Sequence, residues 1–168
     1  MREAIKIPSL ERLNELLFYD EDDGELYLRV DRGPRKAGML AGCVNNAGYV
    51  SVAIDGKRYL AHRVIWKMKT GTDPAVDIDH EDTDSQNNRF GNLREATAFQ
   101  NLQNMPLSRR NTSGVKGVYF DAKLNMWRAE IMSNRVKHRL GSFATLDGAR
   151  EAISAARKKL HGEFARAA

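Results

Sequence analysis

At 168 residues the chain suffices for one or two small domains, and its hydrophobic share of 42% supports a packed core rather than a disordered chain. A single cysteine, Cys43, excludes an intramolecular disulfide and a cysteine-built zinc site. The net charge of +5 is unevenly spread: residues 112–168 hold eleven Lys and Arg against five Asp and Glu, whereas residues 1–111 hold sixteen against seventeen, so a phosphate-bearing partner is expected to be gripped by the last third.

Taken in chain order, residues 10–18 place Leu10, Leu13, Leu16 and Leu17 at helical spacing, with Ser9 as the N-cap and Pro8 ahead of it. Residues 25–30 alternate Leu26, Leu28 and Val30 with Glu25, Tyr27 and Arg29, the rhythm of a strand. The glycines and proline of 31–42 read as a basic, mobile loop. Residues 49–54 and 57–60 are two β-rich runs around Asp55-Gly56, a pair suited to a tight hairpin turn. Residues 62–69 are expected to be helical and to stop at Gly71. A helix is expected to start near Thr97, a good N-cap, and to carry Asn101 in its first turn. Beyond it, 106–114 reads as a linker, then 115–120, 125–132 and 136–143 as three short strands and 145–160 as an amphipathic helix.

The richest chemistry lies at Asp79-His80, Asn92 and Asn101. A histidine stands beside a carboxylate, and two asparagines follow it by twelve and twenty-one residues across a polar, turn-forming stretch. Phosphodiester hydrolysis needs a group that deprotonates water, a group that orients it, and oxygen ligands for a hard divalent cation. These four residues can supply that set. Asn104 is an alternative ligand to Asn101, and Asp77 competes with Asp79, although adjacency to His80 favours Asp79.

Val76-Asp77-Ile78-Asp79-His80, Asn87-Asn88-Arg89, Asn92-Leu93-Arg94 and Gln100-Asn101 resemble the HNH endonucleases of phages and mobile introns, in the branch whose last motif letter is asparagine. The resemblance implies a ββα-metal unit over about 76–105, with His80 activating water and Asp79 and Asn101 holding a metal, Mg²⁺ first and Mn²⁺ second. It assigns Asn92 to bracing the loop and fixing the orientation of His80. Relatives often carry aspartate where this chain has Asn87. His62-Arg63 also recurs in such proteins, and Arg63 is a candidate phosphate contact.

Ser113-Gly114-Val115-Lys116-Gly117-Val118, Trp127-Arg128-Ala129-Glu130-Ile131, Leu140-Gly141-Ser142-Phe143 and His161-Gly162 resemble the Apetala/ethylene-response-factor DNA-binding domain. Strand alternation puts Trp127, Ala129 and Ile131 under the helix. It leaves Arg128, Lys137 and Arg139, joined by Lys116 and Tyr119, on the open face. Such a face suits the major groove, where Glu130 can accept from cytosine or can instead pair with Arg128 or Arg139, while Arg109 and Arg110 of the linker can track the backbone. Tyr119, Asp121 and Arg139 depart from the plant members on this face.

The expected fold is therefore α+β. A nuclease domain over 1–105, with a β-hairpin-containing N-terminal region, is followed by a basic linker over 106–114 and a three-stranded antiparallel sheet on one helix over 115–165. The expected partner is double-stranded DNA, bound by a monomer or homodimer, with one strand nicked per monomer. No apolar run of about eighteen residues suggests a membrane span, and residues 1–10 do not read as a secretion signal. A phage or mobile-element protein in the cytoplasm of a bacterial cell fits these features. The competing reading is a DNA-binding regulator with a degenerate HNH scaffold.

Overall fold

The computed structural model describes residues 6–98, 100–101, 107–108, 110–133 and 135–161. It divides into two units, Met1–Thr97 and Ala98–Ala168. Among the described residues the strands form four small antiparallel sheets of two or three strands, accompanied by helices, a mixed α/β architecture.

In the first unit, α1 (Leu10–Leu16) is capped by Ser9, whose Oγ accepts from Arg12 N at 3.2 Å. The chain leaves the helix sooner than the leucine spacing suggests. Leu17 has extended backbone and opens β1 (Leu17–Asp20), which pairs with β2 (Glu25–Leu28). Adjacent Leu16 and Leu17 satisfy both periods, and burial of Leu17 and Tyr19 with Phe18 exposed decides for the strand. The expected loop over 31–42 is stitched onto β2: Leu28 N donates to Met39 O at 2.9 Å and Ala41 N to Leu26 O at 2.7 Å. It leads into a short strand, β3 (Gly42–Val44), which the glycines hid from sequence reading.

β3 pairs with β4 (Val50–Ile54), and β4 with β5 (Lys57–Leu60) through the expected Asp55-Gly56 turn, both residues at positive φ (48° and 76°). The chain passes straight into α2 (Ala61–Thr70), which ends at left-handed Gly71 as the sequence suggests. Lys67 Nζ, mostly buried, meets Asp73 at 2.7 Å and Ile7 O at 3.2 Å, fastening the segment before α1 to this helix. Leu13, Leu17, Leu26, Val52, Ile54, Val64, Ile65, Ile78 and Leu93 form the core. On its flank lies the two-stranded sheet of β6 (Asp77–His80) and β7 (Leu93–Ala96), entered through a 3₁₀ turn at Phe90–Asn92.

The second unit holds β8 (Val118–Asp121), β9 (Met126–Ser133) and β10 (Val136–Phe143), ordered β10-β9-β8, and α3 (Leu146–His161). Ala149 and Ile153 of α3 bury against Val118, Ala129 and Ile131, with Trp127 partly buried beside them, so the alternation expected along β9 holds. At Gly117 a Cβ would stand 2.5 Å from Glu130 O, and its φ is +84°, so only glycine lets this turn meet β9. Residues 98, 100 and 101 are helical, just past Thr97. The boundary between units falls at Thr97, ahead of the linker expected over 106–114.

Candidate active site

Strand alternation sets the site. Along β6, Ile78 and His80 turn into the protein and are 6% and 5% exposed, whereas Asp77 and Asp79 face the other way. Opposite them, register pairs Asp79 with Arg94 and His80 with Leu93. Arg94 reaches across the ladder, its Nε and Nη2 at 3.1 and 3.0 Å from Asp79 Oδ2, in a largely buried ion pair. Asp77, by contrast, is exposed.

The His80 ring sits in an aromatic and amide cluster. Its Nε2 lies 3.2 Å from Oδ1 of Asn88, a side chain only 1% exposed. The His62 ring, from the first turn of α2, packs perpendicular to it with centroids 5.0 Å apart. Tyr49 contacts both rings, at 5.6 Å from His62 and 6.1 Å from His80.

The loop between β6 and β7 is tied to itself by short polar side chains. Asp82 accepts from Asp84 N at 2.8 Å, from Asn87 Nδ2 at 2.7 Å and from Asn92 Nδ2 at 3.0 Å. Burial pushes the Asp82 carboxyl up, but these hydrogen bonds outweigh it and hold the group below the usual carboxylate range. Asn92 also donates to Asn87 O at 2.8 Å and accepts from Asp82 N at 3.1 Å. Its amide therefore braces the loop, while the amide against His80 belongs to Asn88. Asn87 Nδ2 donates to Asp82, a bond an aspartate could not make, while its Oδ1 accepts from Arg89 N at 3.4 Å.

From outside the loop, the β1–β2 hairpin holds it in place. Tyr19 Oη donates to Asn88 O at 3.3 Å and accepts from Phe90 N at 2.8 Å, and Arg89 Nε donates to Asp22 O at 3.0 Å. Burial raises the Tyr19 phenol, which keeps it a donor at neutral pH. Sequence reading gave no role to Asn88, Tyr19 or Tyr49, and none to His62 beyond its recurrence beside Arg63. The signal that can find Asn88 is its place in the Asn-Asn-Arg run, but the sequence does not tell which asparagine turns inward.

His62 is 4% exposed and its Nδ1 has no hydrogen-bond partner. Burial first, then the neighbouring His80 and Arg63 charges, push its pKa from 6.5 down to about 3. An unfolded histidine takes up a proton below about 6.5 that the folded chain refuses. Stability from this group is thus complete above that pH and lost as pH falls toward 3. Between pH 6.5 and 5 the first unit should lose roughly 2 kcal/mol more in the parent than in His62→Leu. Equal slopes in urea melts over this interval would show that folded His62 is protonated.

A family model described as HNH endonuclease matches residues 59–103, the stretch that contains the His62–His80 cluster, the loop and Asn101. Protein 3.8 of Escherichia phage T7 is 34% identical over 106 residues, covering 62% of this chain and 87% of that protein. An uncharacterized HNH endonuclease of Acanthamoeba polyphaga mimivirus is 30% identical over 124 residues, covering 73% of this chain and 63% of its own length. Residues 59–103 are an HNH endonuclease domain, and the protein is a nuclease. No solved structure gives a significant match.

HNH nucleases generally act with a divalent metal. By chemistry the oxygen donors expected from the sequence suit a hard cation: in the first unit Asp79 carries a carboxylate, paired with Arg94, and in the second unit Asn101 Oδ1 is buried without a hydrogen-bond partner. Among the described residues no group of three His, Cys, Asp or Glu gathers to hold a metal ion. Asn104, the alternative ligand, lies outside the described residues, as does Arg109.

The candidate DNA contacts of the HNH enzyme's second unit mostly share one sheet face. Register sets Tyr119 against Arg128, Glu130 against Arg139 and Met132 against Lys137. Glu130 is the hub: Lys137 Nζ lies at 3.0 Å, Arg139 Nε at 3.8 Å, and Tyr119 Oη donates at 3.3 Å. The hydrogen bond from Lys137 holds the Glu130 carboxyl below its usual range. Arg128 turns to Asp121 at 3.5 Å instead. Lys116 lies in the turn before β8, and its carbonyl accepts from Arg157 at 2.8 Å. Arg110 is exposed, with its backbone N donating to Ser108 Oγ. In the first unit Arg63 donates to Val76 O at 3.2 Å. Arg89 and Arg94, which can serve either the acidic loop or DNA, are engaged by Asp22 O and Asp79. Among the described residues no helix is long and apolar enough to cross a membrane.

Proposed function

We propose that the enzyme is a metal-dependent, homing-type DNA endonuclease that nicks one strand of a duplex per monomer, with the second unit choosing and gripping the site. The observation that carries this reading is the adjacency of Asp79 and His80 at the end of β6. Strand alternation sends the imidazole to one side and the carboxylate to the other, and in this reading the first is the proton acceptor and the second a cation ligand.

In this mechanism His80 takes the proton from the water that attacks phosphorus. Asp79 and Asn101 would hold the cation, and Asn92 keeps the intervening loop closed. Bound there, a Mg²⁺-like ion would neutralise charge on the phosphate and favour departure of the 3′ oxygen. The products would be a 5′ phosphate and a 3′ hydroxyl. Arg63 would touch a phosphate beside the site. A monomer or homodimer working in the cytoplasm of a phage-infected bacterial cell accommodates this chemistry, with two visits or two copies needed for a double-strand break.

The test is conversion of supercoiled plasmid to open circles. Nicking should appear with Mg²⁺ or Mn²⁺ and stop on addition of a chelator. Nicking that persists in excess chelator would remove the metal from the mechanism.

The open sheet face supports duplex binding in the manner of an Apetala-like domain, with Lys116, Tyr119, Arg128, Lys137 and Arg139 meeting phosphates and bases and Arg109 and Arg110 following the backbone. Arg128→Ala with Arg139→Ala should weaken duplex binding and lower the slope of log K against log salt by up to about 2, one phosphate contact each. A slope equal to the parent's would place the grip elsewhere.

A further inference from the structure

We infer that Asn88 is the positioning residue for His80, fixing its imidazole as the Nε2–H tautomer so that Nδ1 is the nitrogen that accepts the proton. The inference rests on the reading of His80 as the base. The amide oxygen of Asn88 is an acceptor only, so the ring nitrogen 3.2 Å from it must bear hydrogen. In a neutral imidazole the lone pair then resides on Nδ1.

The amide cannot readily reverse to offer a donor. Its Nδ2 already donates to Gln86 O at 3.1 Å, and the side chain is 1% exposed, so turning it would abandon that bond and set NH₂ against the ring nitrogen. The backbone of Asn88 is fixed as well: its N donates to Gln86 O at 3.0 Å, and its carbonyl accepts from Tyr19 Oη. Tyr19 lies 69 residues away, on the β1–β2 hairpin. A path of hydrogen bonds therefore runs from that hairpin through Asn88 to the imidazole. On the other side the perpendicular His62 ring walls in the plane of His80. Asn92, whose amide is spent on Asp82 and Asn87, closes the loop.

Two measurements on the full chain test this. The ¹⁵N shifts of the His80 ring, recorded on metal-free protein at a pH where the ring is neutral, should report the Nε2–H tautomer. A dominant Nδ1–H form overturns the inference. Asn88→Leu removes the acceptor at similar volume and should lower the single-turnover nicking rate about 10²-fold with duplex affinity unchanged. Asn88→Asp, which keeps an acceptor at that position, should restore most of the rate. Parental nicking by Asn88→Leu, or equal loss in both variants with the fold intact, overturns it. If Asn88→Leu does not fold, Tyr19→Phe takes its place. It frees the Asn88 carbonyl and should slow nicking while leaving affinity alone, and an unchanged rate counts against the path. Failure of the base reading itself is separable, because it appears as parental nicking by His80→Ala, whereas the ring ¹⁵N shifts report the Asn88 contact with no catalysis involved.

Discussion

His80→Ala is expected to lower the single-turnover nicking rate by about 10³-fold while duplex DNA remains bound. A positioned general base contributes on the order of 10²–10⁴, and alanine offers water no acceptor at that place. Binding should survive because the ring is only 5% exposed, whereas the proposed phosphate contact Arg139 has its side chain 81% exposed. The substitution also has a structural cost. It strands Asn88 Oδ1 without its donor and opens a hole beside His62, about 1–3 kcal/mol for a buried acceptor left alone. Rates must therefore be compared at a temperature where melting curves show both proteins folded. A folded His80→Ala that nicks as fast as the parent would mean that another group takes the proton.

The sequence picks out candidate residues but not the contacts that surround them. Asp79, His80 and Asn92 are separated by short distances in the chain, and a strand followed by a tight polar loop keeps them in one local unit. The Asp55-Gly56 hairpin, the stop at Gly71, and the two faces of β9 were legible for the same reason: turn chemistry and alternation are local rules. What sequence could not show depends on packing at a distance. Tyr19 reaches Asn88 across 69 residues, and His62 meets His80 only because α2 is laid against β6 and its loop. Strand β1 was missed because Leu16 and Leu17 fit either period until β2 supplies a partner, and β3 because a Gly-rich approach hides a strand of three residues. On the open sheet face, alternation identified the cations. It did not decide that Glu130 would gather Lys137 and Arg139 while Arg128 turned to Asp121. That choice depends on which side chains a twisted register brings within reach.

Gly24→Val is expected to destabilise the first unit by about 3–4 kcal/mol and to slow nicking in the molecules that still fold. Two costs combine. Gly24 sits at φ +80°, where a β-branched residue is strained by about 1–2 kcal/mol. Its Cβ would also stand 2.6 Å from Arg89 N and 3.0 Å from the carbonyl carbon of Asn88, contacts with backbone rather than with a flexible side-chain end. Either the hairpin or the loop must shift, at about 1–3 kcal/mol. The loop is the element that carries the amide against His80, so displacement there should reach the imidazole, and the catalytic loss should exceed what the folded fraction predicts. Gly33 provides the control. It too has positive φ, +60°, but open space where a Cβ would go, so Gly33→Val should show the strain without the collision. The gap between the two urea midpoints isolates the pressure of the hairpin on the loop. If both variants melt together and nick alike, the turn at Gly24 does not brace the site, and the bonds from Tyr19 and from Arg89 to Asp22 O must carry the connection between the hairpin and the loop.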